Sequence, residues 1–69
     1  MDVKASITGN VWKILVKVGD QVEEDDEVAI LESMKMEIPI ESPDDGNVTE
    51  ICVAEGDAVK EGQVLLKLG

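Results

Sequence analysis

The chain has 69 residues, which is enough for one small domain, and residues 1–69 are interpreted as that domain. Acidic residues outnumber lysines by 16 to 6, and the net charge of −10 argues against binding to nucleic acid or to an anionic membrane surface, since both need cationic patches. Cys52 is the only cysteine, so no internal disulfide is expected. With no recognisable leader and no apolar run of membrane-spanning length, the sequence predicts a cytoplasmic protein or a domain of one.

The apolar residues favour a β-sheet core. Trp12 is the only aromatic residue, so the core has to be built from Val, Ile, Leu and Ala. Branched aliphatic side chains pack well on a pleated sheet, and no window of the sequence shows a convincing helical period. The sequence therefore predicts an all-β domain with a thin core.

Turn residues divide this all-β chain into short strands. Six strands are predicted in chain order, at residues 3–6, 11–18, 28–33, 37–41, 48–54 and 64–68. Two further, very short strands are expected after the Gly19-Asp20 and Gly56-Asp57 turns, at residues 21–24 and 58–60.

The chain also repeats itself. Residues 9–22 and 46–59 share Gly, Asn, Val, Ile, Val, Gly, Asp and Val at matching positions, with a constant offset of 37. Self-similarity of this length indicates two copies of one supersecondary unit. We expect a pseudo-twofold molecule in which each half covers the apolar face of the other.

One spacing inside the repeat predicts an irregular strand. Val11 and Ile14 both have the character of core residues, but an odd spacing cannot place both on one face of a regular strand. Val48 and Ile51 repeat the pattern. A β-bulge near Trp12-Lys13, and a second near Thr49-Glu50, would restore the phase.

The repeat departs from itself at one turn. Asp25, inside the acidic run 23–27, occupies the place of Gly62 in the second copy, and one extra residue is expected there in the first copy. If this turn needs a left-handed residue, Asp25 adopts that conformation at a cost of about 1 kcal/mol relative to glycine. The run lacks the spaced ligands and central glycine of a calcium loop, so a solvated turn is expected.

The junction of the two halves falls at residues 34–37, where a tight hairpin is predicted with its apex at Met34-Lys35-Met36. A turn selected only for solubility would carry Gly, Asn or Asp. Exposed methionines are adaptable and suit docking into more than one partner pocket. The alternatives are an ordinary solvated lysine and methionines that fold back onto the barrel.

The segment Glu32-Ser33-Met34-Lys35-Met36-Glu37 resembles the biotin-acceptor motif of the biotinyl/lipoyl attachment domains, in which a lysine lies between two methionines. The Gly-Asp-x-Val turns at 19–22 and 56–59 and the Ser-Pro-x-x-Gly segment at 42–46 extend the resemblance over essentially the whole chain. The chain is similar to the small stand-alone bacterial members of this family. Departures are Ser33, where many acceptors have Ala, Asp25 in place of a usual glycine, and Ser6-Ile7 in place of prolines.

The resemblance implies a flattened barrel of two four-stranded antiparallel sheets, with biotin amide-linked to Lys35 at the hairpin tip. A biotin protein ligase would attach biotin from biotinyl-adenylate, and the arm would carry carboxyl groups from a biotin carboxylase to a carboxyltransferase. Met34 and Met36 are predicted to tune recognition by these enzymes, and Glu32 and Glu37 to help orient the hairpin. Lipoic acid on the same lysine is the alternative cofactor, either as the only group that the domain accepts or as one of two that it accepts in place of each other.

The remaining residues do not predict catalysis. The chain has no histidine to act as an ordinary general base, no Cys/His cluster for a metal, and no glycine-rich phosphate loop. Cys52 matches Leu15 in the repeat, which predicts a packing role. The sequence thus predicts a monomeric carrier rather than an enzyme, and the alternative from another class is an unmodified interaction module.

Overall fold

The computed structural model describes residues 1–69 and consists of β-strands joined by turns. The strands in chain order are β1 (Asp2–Lys4), β2 (Gly9–Ile14), β3 (Gln21–Val22), β4 (Glu27–Ser33), β5 (Met36–Glu41), β6 (Gly46–Ile51), β7 (Ala58–Val59) and β8 (Val64–Leu68). The structure contains no helix that is long and apolar enough to cross a membrane.

Two of the predicted strands are too long. β2 and β6 end at Ile14 and Ile51, whereas the sequence predicted strands 11–18 and 48–54. The reason is that the apolar residues after each strand carry the chain from one sheet to the other: the N–H of Leu15 still donates to Val28 O (3.0 Å), but that of Gly19 donates to Val48 O (2.8 Å). The other predicted strands are present with small shifts in their ends, and the two short ones have two residues each.

The eight strands form two four-stranded sheets, as the family resemblance implied. One sheet has the strand order β5-β4-β2-β7 and is called the hairpin sheet below; the other has the order β1-β8-β6-β3 and is called the terminal sheet. Every neighbouring pair of strands is antiparallel.

The repeat in sequence is a repeat in space. Adding the offset of 37 to the bounds of β2 and β3 gives the bounds of β6 and β7. Both sheets contain strands from both halves, because β7 joins the hairpin sheet and β3 joins the terminal sheet. The inner strands β2 and β4 of the hairpin sheet come from the first half, and the inner strands β6 and β8 of the terminal sheet come from the second. Each half therefore covers the apolar face of the other, as expected, but the outer strands of each sheet are exchanged between the halves.

The two predicted bulges are confirmed. The register of β2 against β4 passes from Val11 to Lys13 and leaves Trp12 as the extra residue. The register of β6 against β8 leaves Thr49 in the same position. As a result Val11 is buried and Ile14 packs against the core from the same face, which resolves the odd spacing.

The left-handed conformation predicted for Asp25 is also confirmed, with φ of 71° against 87° at Gly62. The expected extra residue is absent, because the two turns correspond residue for residue at the offset of 37. In the first turn the Glu23 N–H donates to Asp26 Oδ2 (2.9 Å), and in the second the Lys60 N–H donates to Gln63 Oε1 (3.1 Å).

The core between the sheets is wholly aliphatic. Its buried residues are Val3, Ala5, Val11, Val22, Val28, Ala29, Leu31, Ile40, Val48, Val59, Leu65, Leu66 and Leu68. Cys52 is exposed, so the packing role predicted for it is wrong. Its repeat partner Leu15 is exposed as well, with 46% of its surface accessible. Both residues follow a bulge and lie on the outer face.

Candidate functional site: the β4–β5 hairpin

The hairpin between β4 and β5 closes on a two-residue loop. Ser33 pairs with Met36, so only Met34 and Lys35 lie between the strands. Both have positive φ values, 52° and 66°. This is the pattern of a type I′ turn, whose twist matches that of the two strands. The apex is one residue shorter than predicted, because Met36 is already the first residue of β5.

The register of the strands imposes this turn on residues that do not favour it. Type I′ turns prefer Asn-Gly or Asp-Gly, because an ordinary side chain is strained at positive φ. β4 and β5 pair continuously from Ser33-Met36 to Ala29-Ile40, with Leu31 and Ile40 inside the core. The buried pattern therefore fixes the register, and the register leaves exactly two residues to make the turn.

The side chains at the tip are turned to solvent. Lys35 is exposed, Met34 is 92% exposed and Met36 is 60% exposed. The alternative in which the methionines fold back onto the barrel is wrong. An amine between two exposed thioethers is open to an enzyme from most directions.

Glu32 and Glu37 lie directly opposite each other at the foot of the turn, and both are exposed. Like charges in directly opposed positions destabilise a strand pair. The carboxylates thus give the base of the hairpin a local negative charge on either side of its axis.

Gly9 supports the hairpin from the neighbouring strand, and the sequence reasoning did not assign it this role. A Cβ atom at Gly9 would collide with the backbone carbonyl of Glu32. Its repeat partner Gly46 has more room, since a Cβ there would lie 3.3 Å from Leu68 Cβ. The repeat aligned the two glycines, but only the structure shows that the one beside the hairpin permits no side chain.

Comparison with known proteins assigns this hairpin-bearing fold to a family. The family model described as "Biotin-requiring enzyme" matches residues 2–68. A relative named "Biotin/lipoyl attachment protein", from Bacillus subtilis (strain 168), is 57% identical over 68 residues, covering 99% of this chain and 93% of the relative. The chain belongs to the biotin/lipoyl attachment family.

Two further comparisons place this biotin/lipoyl domain among its relatives. "Biotinylated protein TB7.3 homolog" from Mycobacterium leprae (strain TN) is 39% identical over 64 residues, covering 93% of this chain and 90% of the relative. The crystal structure of the Kluyveromyces lactis urea carboxylase matches with a TM-score of 0.93 and 33% identity, over 100% of this chain and 6% of that chain. The domain is thus related to the carrier domains of carboxylases.

Cys52 is the other chemically reactive side chain of this biotin/lipoyl domain. Partial desolvation, followed by the negative charge of Glu50, raises the pKa of its thiol. The Cys52 Sγ lies 3.8 Å from Glu50 Oε2, close enough for the thiol to donate a weak hydrogen bond. A raised pKa leaves less of the nucleophilic thiolate at neutral pH, and Cys52 lies on the terminal sheet, away from the hairpin.

Proposed function

We propose that this domain is a biotin carrier and that Lys35 is the residue to which biotin becomes attached. The observation that carries the proposal is the position of Lys35 at the apex of a two-residue turn, exposed and flanked by Met34 and Met36. The relative from Mycobacterium leprae, whose name describes a biotinylated protein, supports biotin as the group. The match to part of a urea carboxylase supports a role in carboxyl transfer.

We further propose that residues 1–69 form one attachment domain and that this domain is a substrate of other enzymes rather than an enzyme. The surface has no cavity in which a small substrate would be enclosed. A covalent bond to an exposed amine needs no such cavity, so the hairpin fits a tethered group. The monomeric state and cytoplasmic location stay predictions from composition.

In the loading step, the Lys35 amine attacks the acyl carbon of activated biotin held by a biotin protein ligase. The amide C–N bond forms, the bond between the acyl carbon and the phosphate oxygen of the adenylate breaks, AMP leaves, and the proton lost by the amine passes to the ligase. The ligase has to supply that base, because the groups nearest in sequence to the tip are thioethers and carboxylates on the hairpin flanks. The contribution of this chain is access and orientation.

After loading, the rigid hairpin sheet presents the attached biotin to the partner enzymes. β4 is paired on both sides, by β2 and by β5, so the tip is held at a fixed height above the core. When bound, biotin supplies a ureido nitrogen that carries a carboxyl group between a biotin carboxylase and a carboxyltransferase. Tethering on a rigid hairpin raises the effective concentration of the group at each of these sites.

The residues around Lys35 would act in recognition. Met34 and Met36 present flexible, polarizable side chains on either side of the amine, which suits contact with several different enzymes. Glu32 and Glu37 repel each other across the strand pair, so we propose that they orient the hairpin by pairing with basic groups of a partner.

Lipoyl attachment is the second candidate, because the Bacillus subtilis relative is named for both groups. It uses the same fold and the same lysine, and the Met-Lys-Met tip favours biotin.

Intact mass after coexpression with a biotin protein ligase and biotin tests the proposal. We expect one biotinyl group on the wild-type chain, none on Lys35→Arg, and one on the matched control Lys60→Arg, which keeps the acceptor. A lipoyl adduct in a lipoylating host would support the second candidate. Biotin on the Lys35→Arg chain, or no adduct of either kind on the wild type, would refute Lys35 as the attachment site.

A further inference from the structure

The outer faces of the two sheets differ in a way that their shared repeat does not explain. Four apolar residues on the outer face of the hairpin sheet are called the apolar row below: Trp12, Ile30 and Pro39 on neighbouring strands, and Leu15 directly after β2. At the offset of 37 their counterparts on the terminal sheet are Thr49, Cys52, Lys67 and Asp2. The buried residues of the two halves match, so the difference is confined to the surface.

Strand pairing brings Trp12, Ile30 and Pro39 of the apolar row close together. Ile30 on β4 pairs with Pro39 on β5 and with Lys13 on β2. Trp12 is the extra residue of the bulge opposite Ile30, and the Lys13 Nζ lies 5.3 Å from the centre of its ring, so both side chains are on the outer side. Trp12 is 42% exposed. In the terminal sheet the equivalent positions form the charged series Asp2, Lys67 and Glu50.

Carboxylates border the apolar row along both strands of the hairpin. Glu32 and Glu37 lie on the side of the tip, and Glu27 pairs with Glu41 at the other end of the strands. All four are exposed. Apart from Lys13, which lies over the Trp12 ring, this surface has an apolar centre and acidic borders. It is complementary to a surface with an apolar centre and flanking lysines or arginines. A second copy of this acidic face would be repelled, which argues against self-association through it.

We propose that the apolar row is a docking surface for the ligase that loads Lys35, through a ligase surface that is apolar at its centre and basic at its edges. The inference rests on the proposed function. During loading the ligase must reach the bare amine, with no long arm between them, so its surface comes down onto the hairpin. Ile30 is five residues from Lys35 along β4, or roughly 16 Å. A protein interface of ordinary size covers about 800 Å² on each partner, roughly 30 Å across, so one centred between the tip and Ile30 would include both Lys35 and the row.

Steady-state loading of apo chains by a purified biotin protein ligase, with biotin and ATP, tests the proposal. Trp12→Thr gives the row the residue that the terminal sheet has at the equivalent position. We expect its KM for loading to rise about tenfold with kcat unchanged, since an exposed aromatic anchor is lost while the acceptor stays in place. The matched control Thr49→Ala alters the equivalent bulge of the terminal sheet and should load as the wild type does.

Thermal melting of each variant shows whether the fold is retained. A second measurement does not depend on turnover: ¹⁵N-labelled Lys35→Arg chain titrated with the ligase should show amide shifts at residues 12–15, 30 and 31 as well as at the tip, with residues 49–52 unaffected. Shifts confined to residues 32–37, or a Trp12→Thr chain that loads with the wild-type KM, would overturn the docking surface. A dimer that Trp12→Thr dissociates would also overturn it, in favour of a second copy.

The acidic border has its own test. The KM of the wild-type chain should rise with salt, and the Glu27→Gln/Glu41→Gln chain should show a weaker dependence. Equal salt dependence in the two chains would overturn the basic edges assigned to the ligase. Failure of the proposed function is distinct, because in that case the wild-type chain itself takes up no biotin.

Discussion

At the scale of single residues, the backbone at the tip of the hairpin is strained, and this tip is the proposed functional site. Met34 and Lys35 both hold left-handed backbone conformations, which strain residues with a Cβ atom. Strain of this kind is tolerated where the surrounding structure fixes it, here the continuous pairing of β4 with β5. The turn thus contains a lysine at a position where glycine or asparagine would be more stable.

Met34→Asn should therefore stabilise the domain. Asparagine tolerates the left-handed region, and Met34 is so exposed that little packing is lost. We expect the free energy of unfolding in urea to rise by about 0.5–1 kcal/mol. Met36→Asn is the control, because Met36 lies in a strand and should show no gain. An equal gain from both substitutions would contradict strain at the turn as the cause.

The sequence was sufficient to single out Lys35 but not the conformation around it. The position of the lysine at the junction of two repeats, between methionines, is a linear pattern and could be read directly. The length of the turn depends on the register of β4 against β5, and that register is fixed by burial of residues such as Leu31 and Ile40. The tight approach of Gly9 to Glu32 is likewise a contact between strands and leaves no mark on the sequence near the hairpin.

At the scale of elements, comparison of the two matched turns distinguishes two adjacent aspartates, Asp25 and Asp26, for which we expect opposite effects on stability. Asp25 is strained at a φ of 71°, in the place that glycine occupies in the other copy. Asp26 accepts a hydrogen bond from the Glu23 N–H (2.9 Å) and so closes the same turn. Asp25 and Asp26 carry the same charge, but we expect the first to lower the stability of the turn and the second to raise it.

Asp25→Gly should raise the free energy of unfolding by about 1 kcal/mol, and Asp26→Ala should lower it by about 1 kcal/mol. Each substitution removes one negative charge from the same acidic run, so the pair controls for charge. Urea unfolding of the two variants measures the difference. A similar rise in both would mean that relief of charge repulsion, rather than backbone conformation and hydrogen bonding, sets the stability of this turn.

Strands were predicted well where the repeat supplied independent copies of the pattern, and poorly where the chain changes sheets. The odd spacing of Val11 and Ile14 located both bulges, because a strand with a strict period of two could not bury both residues. The segment after Ile14 is as apolar as a strand, and composition alone extended β2 through it. Its change of partner from Val28 to Val48 is a tertiary event that no local pattern records.

At the scale of the whole molecule, the net charge of −10 acts over dimensions of only 31 × 19 × 18 Å. The screening length is about 30 Å at 0.01 M salt and about 8 Å at 0.15 M. At the lower salt concentration nearly every carboxylate repels every other one, whereas at the higher one only near neighbours interact.

We therefore expect the melting temperature to rise between 0.01 and 0.15 M NaCl, in the range of salt concentration where screening changes most. KCl should give the same rise, because the effect depends on ionic strength. A melting temperature that is unchanged over this range would show that repulsion among the carboxylates does not weaken the fold.

Because each layer takes its two inner strands from one repeat and its two outer strands from the other, neither half of the chain forms a complete layer. A peptide made from one repeat alone would leave the inner faces of its strands open to water. Such a fragment could bury them only by meeting a second copy, with each lending a short strand to the other. For that fragment, acquiring a structure and finding a partner would be one and the same event.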